Sequence, residues 1–277
     1  MKMYLRGKEF DFFKRKYCMG ILNVTPDSFY SESRVEIDKV LDRVKVMVDE
    51  GMDILDIGGE STRPGSDAVP LEEELRRVIP ALKIIRSNFP DLPISIDTYK
   101  SRVALEALDN GADIINDISG GTFDPEMVKV VARYQCPVIL MHIKGTPKNM
   151  QENPQYKDVV REITEFLKTQ IDIFEGKGVK PDNIIIDPGI GFGKKLEHNI
   201  AIIRRLAELK QLKKPILIGV SRKSMIGLML DGIPPEERLT GTVAINTIAM
   251  VNGASIIRVH DVMEGKQTCR IVEQIMS

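Results

Sequence analysis

Ser101-Arg102-Val103-Ala104-Leu105-Glu106-Ala107-Leu108-Asp109-Asn110-Gly111-Ala112-Asp113-Ile114-Ile115-Asn116 changes its period at the glycine. Up to Asn110 apolar side chains recur three and four residues apart, the spacing of one helix face. Ile114-Ile115 is a short β-branched run and reads as a strand. Gly111 stands between them, where a left-handed C-cap ends a helix at least cost. The same device recurs at Gly51-Met52-Asp53, between a helical pattern over Ile37 to Glu50 and the run Asp53-Ile54-Leu55-Asp56-Ile57.

Outward from that unit the alternation repeats along the chain. Further strand-like runs are Cys18 to Asn23, Ile94 to Asp97, Val138 to Met141, Ile184 to Asp187, Ile216 to Val220 and Ile256 to Val259. Further helical patterns are clearest at Leu71 to Asn88, Asp158 to Glu175 and His198 to Lys210. The runs are apolar without alternating, the habit of strands buried on both faces of a parallel sheet. Eight β-then-α units in this length fit a closed (β/α)₈ TIM barrel of one domain over residues 1–277. A doubly wound open sheet shares the alternation and competes with it. Tyr4 to Phe13, aromatic with Gly7 at its centre, predicts an N-terminal β-hairpin closing the barrel bottom.

Composition narrows the function classes. The 277 residues carry 39 Lys+Arg against 40 Asp+Glu, so no global field draws in nucleic acid or an anionic membrane. Cys18, Cys136 and Cys269 are far apart and form no CxxC pair, which predicts reduced core thiols and a reducing compartment such as the cytoplasm. The start of the chain lacks the basic patch and apolar run of a signal peptide. No stretch is apolar enough to span a bilayer, which predicts a soluble protein.

The strand-like runs end on polar residues: Asn23, Asp97, Asn116-Asp117, His142, Asp187, Ser221-Arg222-Lys223 and Arg258-Val259-His260. In a barrel these ends converge on the face where barrel enzymes keep their sites. Solvent at a strand end explains any one of them, but a set this rich in Asp, Asn, Lys, Arg and His points to a ligand. Asp97, Asn116 and Asp187 complement a flat heterocycle bearing ring N–H, an exocyclic amine and a carbonyl, with Lys223 reaching the carbonyl. Arg258, His260 and Asn23 offer two potential cations and an amide, suited to a phosphorylated leaving group that shares its charge with a divalent ion.

Several common motifs are absent. Asp187-Pro188-Gly189-Ile190-Gly191-Phe192-Gly193-Lys194 is one residue short of a P-loop and has Lys195 in place of Ser or Thr. Its glycines are expected to let the backbone approach a flat ligand, or merely to make a tight turn. His142, His198 and His260 have no zinc spacing, and His198 is expected on a helix surface. No G-x-S-x-G elbow surrounds Ser61, Ser119 or Ser221.

Met19-Gly20-Ile21-Leu22-Asn23-Val24-Thr25-Pro26-Asp27-Ser28-Phe29 and Gly58-Gly59-Glu60-Ser61-Thr62-Arg63-Pro64-Gly65 resemble the first two signatures of the dihydropteroate synthase family. Ile96-Asp97-Thr98, Asn116-Asp117, Met141-His142, the Asp187 to Lys194 run, Ser221-Arg222-Lys223-Ser224 and Arg258-Val259-His260-Asp261 resemble its later motifs, in order. The resemblance implies a (β/α)₈ barrel, a transferase of folate biosynthesis that is a sulfonamide target, a Mg²⁺ requirement and a homodimer. It implies that Asp97, Asn116, Asp187 and Lys223 hold the pterin, that Asn23 meets the metal, and that Arg258 and His260 grip the diphosphate. Thr62, Arg63 and Pro64 are implied in a closing loop, and Phe192 and Ser224 beside the aminobenzoate. Asp97, Lys223, Arg258 and His260 are the implied catalytic set.

The chain departs from the family at Tyr30-Ser31-Glu32-Ser33-Arg34, where a glycine-containing stretch is usual. Two rival readings share much of the site: a corrinoid-dependent pterin methyltransferase and a silent pterin-binding paralogue. The first should lack the Glu60 to Gly65 loop and the basic motifs, since no diphosphate leaves. Pterin binding without turnover would mark the second.

Overall fold

The computed structural model describes residues 2–24 and 34–276. The glycine-poor stretch after Phe29 therefore falls outside the described residues, apart from the backbone of Arg34.

Eight parallel strands form the centre: β3 (Tyr17–Asn23), β4 (Ile54–Gly58), β5 (Ile94–Asp97), β6 (Ile114–Asp117), β7 (Val138–Met141), β8 (Ile184–Asp187), β9 (Leu217–Ile218) and β10 (Ile256–Val259). Their order, β8-β7-β6-β5-β4-β3-β10-β9, follows the chain around a ring. The ring closes between β8 and β9 through a parallel bridge of Ile186 with Ile216, where Ile186 N donates to Pro215 O at 2.9 Å. The fold is thus the barrel, and the open-sheet alternative is excluded. β9 takes up only the middle of the run Ile216 to Val220: Ile216 joins as an isolated bridge, and Gly219 and Val220 lie beyond the ladder.

The helices that cover the barrel are α1 (Arg34–Asp49), α2 (Leu71–Asn88), α3 (Ser101–Asp109), α4 (Met127–Tyr134), α5 (Val159–Gly176), α6 (Leu196–Arg204), α7 (Ser224–Met229), α8 (Leu239–Val251) and α9 (Val262–Met276). Gly51 and Gly111 have φ of +91° and +94°, as the period change predicts. Around Gly111 the Ala112 N–H reaches Ala107 O and the Gly111 N–H reaches Leu108 O, a Schellman cap. Periodicity does not place α4, α7, α8 or α9. The first two are short, while α8 is apolar around most of its circumference and has no stripe to detect. The pattern over His198 to Lys210 is two pieces, α6 from Leu196 and a 3₁₀ segment over Leu206–Leu212.

Outward-facing strand residues such as Leu55, Ile57, Ile94 and Ile96 pack under the helices. Inward residues at the strand starts, among them Met19, Ile54, Ile114, Ile139 and Ile185, form a separate apolar plug. The expected hairpin, β1 (Lys2–Leu5) with β2 (Lys8–Asp11), seals that end with Met3, Leu5, Phe10 and Phe12. Arg6 ties it to the barrel through Asp113 at 2.7 Å, and Arg86 holds the other oxygen of Asp113 at 2.7 Å. The barrel interior is therefore closed by hydrocarbon at one end, and its inward-facing polar groups gather at the other. Cys18, Cys136 and Cys269 are buried free thiols. No described helix is long and apolar enough to cross a membrane.

Candidate active site

The strand register puts Asn23, Gly58, Asp97 and Asn116 in one row across β3, β4, β5 and β6. Alternation of the pleat turns all four positions inward at the open end. Gly58 leaves the row low at its centre, since a Cβ there would lie 3.5 Å from Asp97 Cβ and 3.7 Å from Asn23 Oδ1. Asp187 closes β8 on the opposite wall, and Arg258 enters from β10.

Arg258 organises the centre. Its Nε donates to Asp56 Oδ2 at 2.6 Å and its Nη2 to Asp97 Oδ2 at 2.8 Å. Asn116 Nδ2 donates to the same Asp56 oxygen at 3.2 Å. Burial raises the pKa of Asp97; Arg258 opposes the shift and the charge of Asp56 adds to it. Burial also raises Asp187, whose Oδ1 accepts from the Gly189 N–H at 2.7 Å. The expected division into a ring-binding set and a diphosphate-binding set is thereby crossed, because Arg258 bonds to Asp97.

Lys223 donates to the Ile190 carbonyl and lies 4.4 Å from the centre of the Phe192 ring. Burial lowers its pKa to about 8, with Asp187 holding it up and Arg258 pushing it down. His260 receives or donates at Nδ1 to Ser221 Oγ over 3.0 Å. Burial and the Arg258 charge lower its pKa to about 4, so in the free protein it is a neutral hydrogen-bonding group and not the second cation expected. Ser224 is exposed at the first position of α7, next to Lys223.

Thr62 is half-buried, while Arg63 and Pro64 are exposed on the loop that leaves β4. That loop rests on the β7–α5 connection: Gly65 N donates to Pro147 O at 2.9 Å, and Lys148 pairs with Asp67 at 2.9 Å. Its root is a buried ionic knot in which Lys100 joins Glu60 and Glu74, and Tyr99 donates to Glu60 at 2.9 Å.

Other polar strand ends serve the scaffold. Asp117 accepts from Ser119 N, Ser119 Oγ and Gly121 N within a turn. Arg222 forms a fork with Asp261 at 2.8 and 2.9 Å. His142 is buried beside Lys194, whose Nζ also reaches the carbonyls of His142 and Phe192. His198 is half-buried rather than a surface residue, since its Nδ1 accepts from the Lys195 N–H at the start of α6.

The glycine run also differs from expectation. A Cβ on Gly189 would lie 2.0 Å from the His142 carbonyl oxygen, and one on Gly193 would lie 2.3 Å from that of Lys144. With φ of +70° and +64°, these glycines let two loop backbones pack together. Gly191, where an added Cβ would lie 3.5 Å from Lys223 Cδ, is the one beside the site. Reasoning from sequence also missed Asp56, although a charge between Leu55 and Ile57 in an apolar strand was the signal available.

Among the described residues no three His, Cys, Asp or Glu side chains form a metal cluster. Asn23 offers a single amide oxygen to an ion, which matches the way Mg²⁺ uses few protein ligands alongside phosphate and water.

Comparison with known proteins agrees with this geometry. Residues 19–260 match the pterin binding enzyme family. A dihydropteroate synthase of Synechocystis sp. is 48% identical over 267 residues, covering 96% of this chain and 92% of its own. The structure of the Yersinia pestis dihydropteroate synthase in a sulfonamide complex superposes with a TM-score of 0.92 at 42% identity, covering 100% and 99% of the two chains. That of the Clostridium difficile enzyme in the presence of pteroic acid gives 0.90 at 46% identity, covering 96% and 98%.

Proposed function

This chain belongs to the pterin binding enzyme family, and on that premise we propose that it catalyses the dihydropteroate synthase reaction. 6-Hydroxymethyl-7,8-dihydropterin diphosphate and p-aminobenzoate give 7,8-dihydropteroate and pyrophosphate, a group transfer of folate biosynthesis. The observation that carries the reading is the meeting of Asp97, Asn116 and Arg258, from three separate strands, above a closed apolar plug.

The pterin ring lies among Asp97, Asn116 and Asp187, whose carboxylates and amide accept its N–H groups, and the Lys223 ammonium meets its carbonyl. The C–O bond beside the ring breaks and its electron pair leaves with the diphosphate. The aniline lone pair forms the new C–N bond, and that nitrogen then sheds one proton. Positive charge developing on the ring is favoured by Asp97, and negative charge on the leaving group by Arg258 and a hydrogen bond from His260. Aniline is a weak nucleophile, so alignment by Phe192 and Ser224 and closure by Thr62, Arg63 and Pro64 supply much of the rate. Mg²⁺ held by Asn23 and the diphosphate would neutralise leaving-group charge when bound. A sulfonamide, bound in the structure of the Yersinia pestis relative, is expected to bind this enzyme as well.

The enzyme acts on these small molecules in the cytoplasm as a homodimer. Leu228, Met229, Ile248, Val251, Ile271 and Ile275 expose apolar side chains on α7, α8 and α9, a surface that a second copy would cover. Sedimentation at micromolar concentration tests the dimer; a monomer there removes that part. Pyrophosphate release on mixing both substrates with Mg²⁺ tests the reaction, and its absence with folded protein refutes it.

A further inference from the structure

We propose that Asp56 is a positioning residue that holds Arg258 and Asn116 in place, so that Asp97 can exchange its bond to Arg258 for bonds to substrate. The inference rests on the reaction proposed above and concerns a residue that reaction does not itself use.

Asp56 lies on β4 one inward position below Gly58, and its side chain is 0% exposed. A single oxygen, Oδ2, accepts from Arg258 Nε of β10 and Asn116 Nδ2 of β6. Neither strand adjoins β4 in the sheet, so the carboxylate reaches across the barrel interior in both directions. It is the shared partner of two groups, one proposed for the ring and one for the diphosphate.

The guanidinium serves two carboxylates that differ in access. Asp97 is 10% exposed at the open end and bonds through Nη2, while Asp56 is sealed and bonds through Nε. A ring that takes Asp97 from Arg258 leaves the Nε bond intact, and the freed Nη2 turns to the leaving diphosphate. Without Asp56, Arg258 would follow Asp97 or swing free, and the amide of Asn116 would lose its orientation.

A purely structural role fits the site poorly. Two carboxylates sharing one guanidinium leave an excess negative charge in the barrel, and among the described residues no group donates to Asp56 Oδ1. Buried charge arranged this way does not favour stability. Ser95, the register partner of Asp56 on β5, is equally buried and its Oγ has no partner among the described residues, so Ser95→Ala serves as a control for disturbance at this depth.

The test compares wild type, Asp56→Asn and Ser95→Ala for turnover with both substrates and for melting temperature. Asp56→Asn is expected to lower kcat/KM for the pterin diphosphate on the order of 10²-fold. Its KM for aminobenzoate should stay at the wild-type value and its melting temperature at or above that of wild type, and Ser95→Ala should behave as wild type. In an Arg258→Lys background the same substitution should cost less than about 3-fold more, because the two act as one unit. Full turnover by Asp56→Asn, additivity with Arg258→Lys, or a fall in melting temperature that impairs both substrates alike would overturn the inference. If Asp56→Asn does not fold, Asp56→Ser is measured in its place, and failure of both to fold also overturns it. An inactive wild type sinks the proposed reaction and this inference together, whereas an active wild type with an indifferent Asp56→Asn sinks the inference alone.

Discussion

Arg258 donates to Asp97 across 2.8 Å, joining residues 161 positions apart at the open end of the barrel. In the proposed reaction one of them faces the ring and the other the leaving diphosphate. Their bond links the two halves of the substrate seat before substrate arrives, and binding must break it. The ground state of the free enzyme therefore holds its cation on a carboxylate, and the electrostatic help of that cation becomes available when the ring displaces it.

Arg258→Ala leaves Asp56 and Asp97 buried without their cation. Loss of one partner from a buried ion pair costs about 3–5 kcal/mol, and here two carboxylates lose it. Urea unfolding should show a loss of at least this size, and pyrophosphate release should disappear. A folded variant of wild-type stability would refute the pairing.

Asp97→Asn removes one of the two carboxylates that share the guanidinium. Stability should hold or rise, while turnover falls by about 10²–10³-fold through loss of the charge beside the ring. Thermal melting and initial rates, measured on one preparation, separate the two effects. Unchanged turnover refutes the assignment.

His260 supplies a pH signature. Its folded pKa is about 4, below the ordinary value of 6.5, so the unfolded chain binds a proton that the folded one refuses between those values. Stability is therefore lost as pH falls from about 6.5 toward 4, and His260→Asn should show a smaller loss over that window. Inorganic pyrophosphate with Mg²⁺ should raise the imidazole pKa, seen by NMR titration. A free-enzyme titration near 6.5 would show the ring to be solvated and unperturbed.

Lys223 sets the basic limb. With its pKa held near 8, the ammonium that meets the ring carbonyl deprotonates above that pH, and kcat/KM for the pterin diphosphate should fall accordingly. Lys223→Gln should lower the plateau and abolish the limb. A limb that survives the substitution belongs to another group.

Gly189 and Gly191 should answer differently to alanine. At Gly189 the new methyl meets a backbone oxygen at 2.0 Å with φ at +70°, and neither chain can yield without breaking the contact of the two loops. Gly191→Ala meets only ordinary contact with the Lys223 side chain, so its cost is the left-handed backbone, about 1–2 kcal/mol. Equal melting temperatures for the two variants would refute the packing account.

The alternation of strands and helices is legible along the chain, because hydrophobic period and glycine caps act within a few residues. So are the hairpin at the barrel bottom and polar side chains at the strand ends, among them Asp97, Asn116, Asp187, Lys223 and Arg258. Which of those groups bond to one another is set by the closed ring. Arg258 and Asp56 are 202 residues apart and Asn116 and Asp56 are 60 apart, so their meeting depends on the order and stagger of strands in a closed ring. The same closure removes water from His260 and Lys223 and moves their proton affinities, which composition alone cannot reveal. It also brings the His142 and Lys144 carbonyls against Gly189 and Gly193, making those glycines a demand of backbone packing.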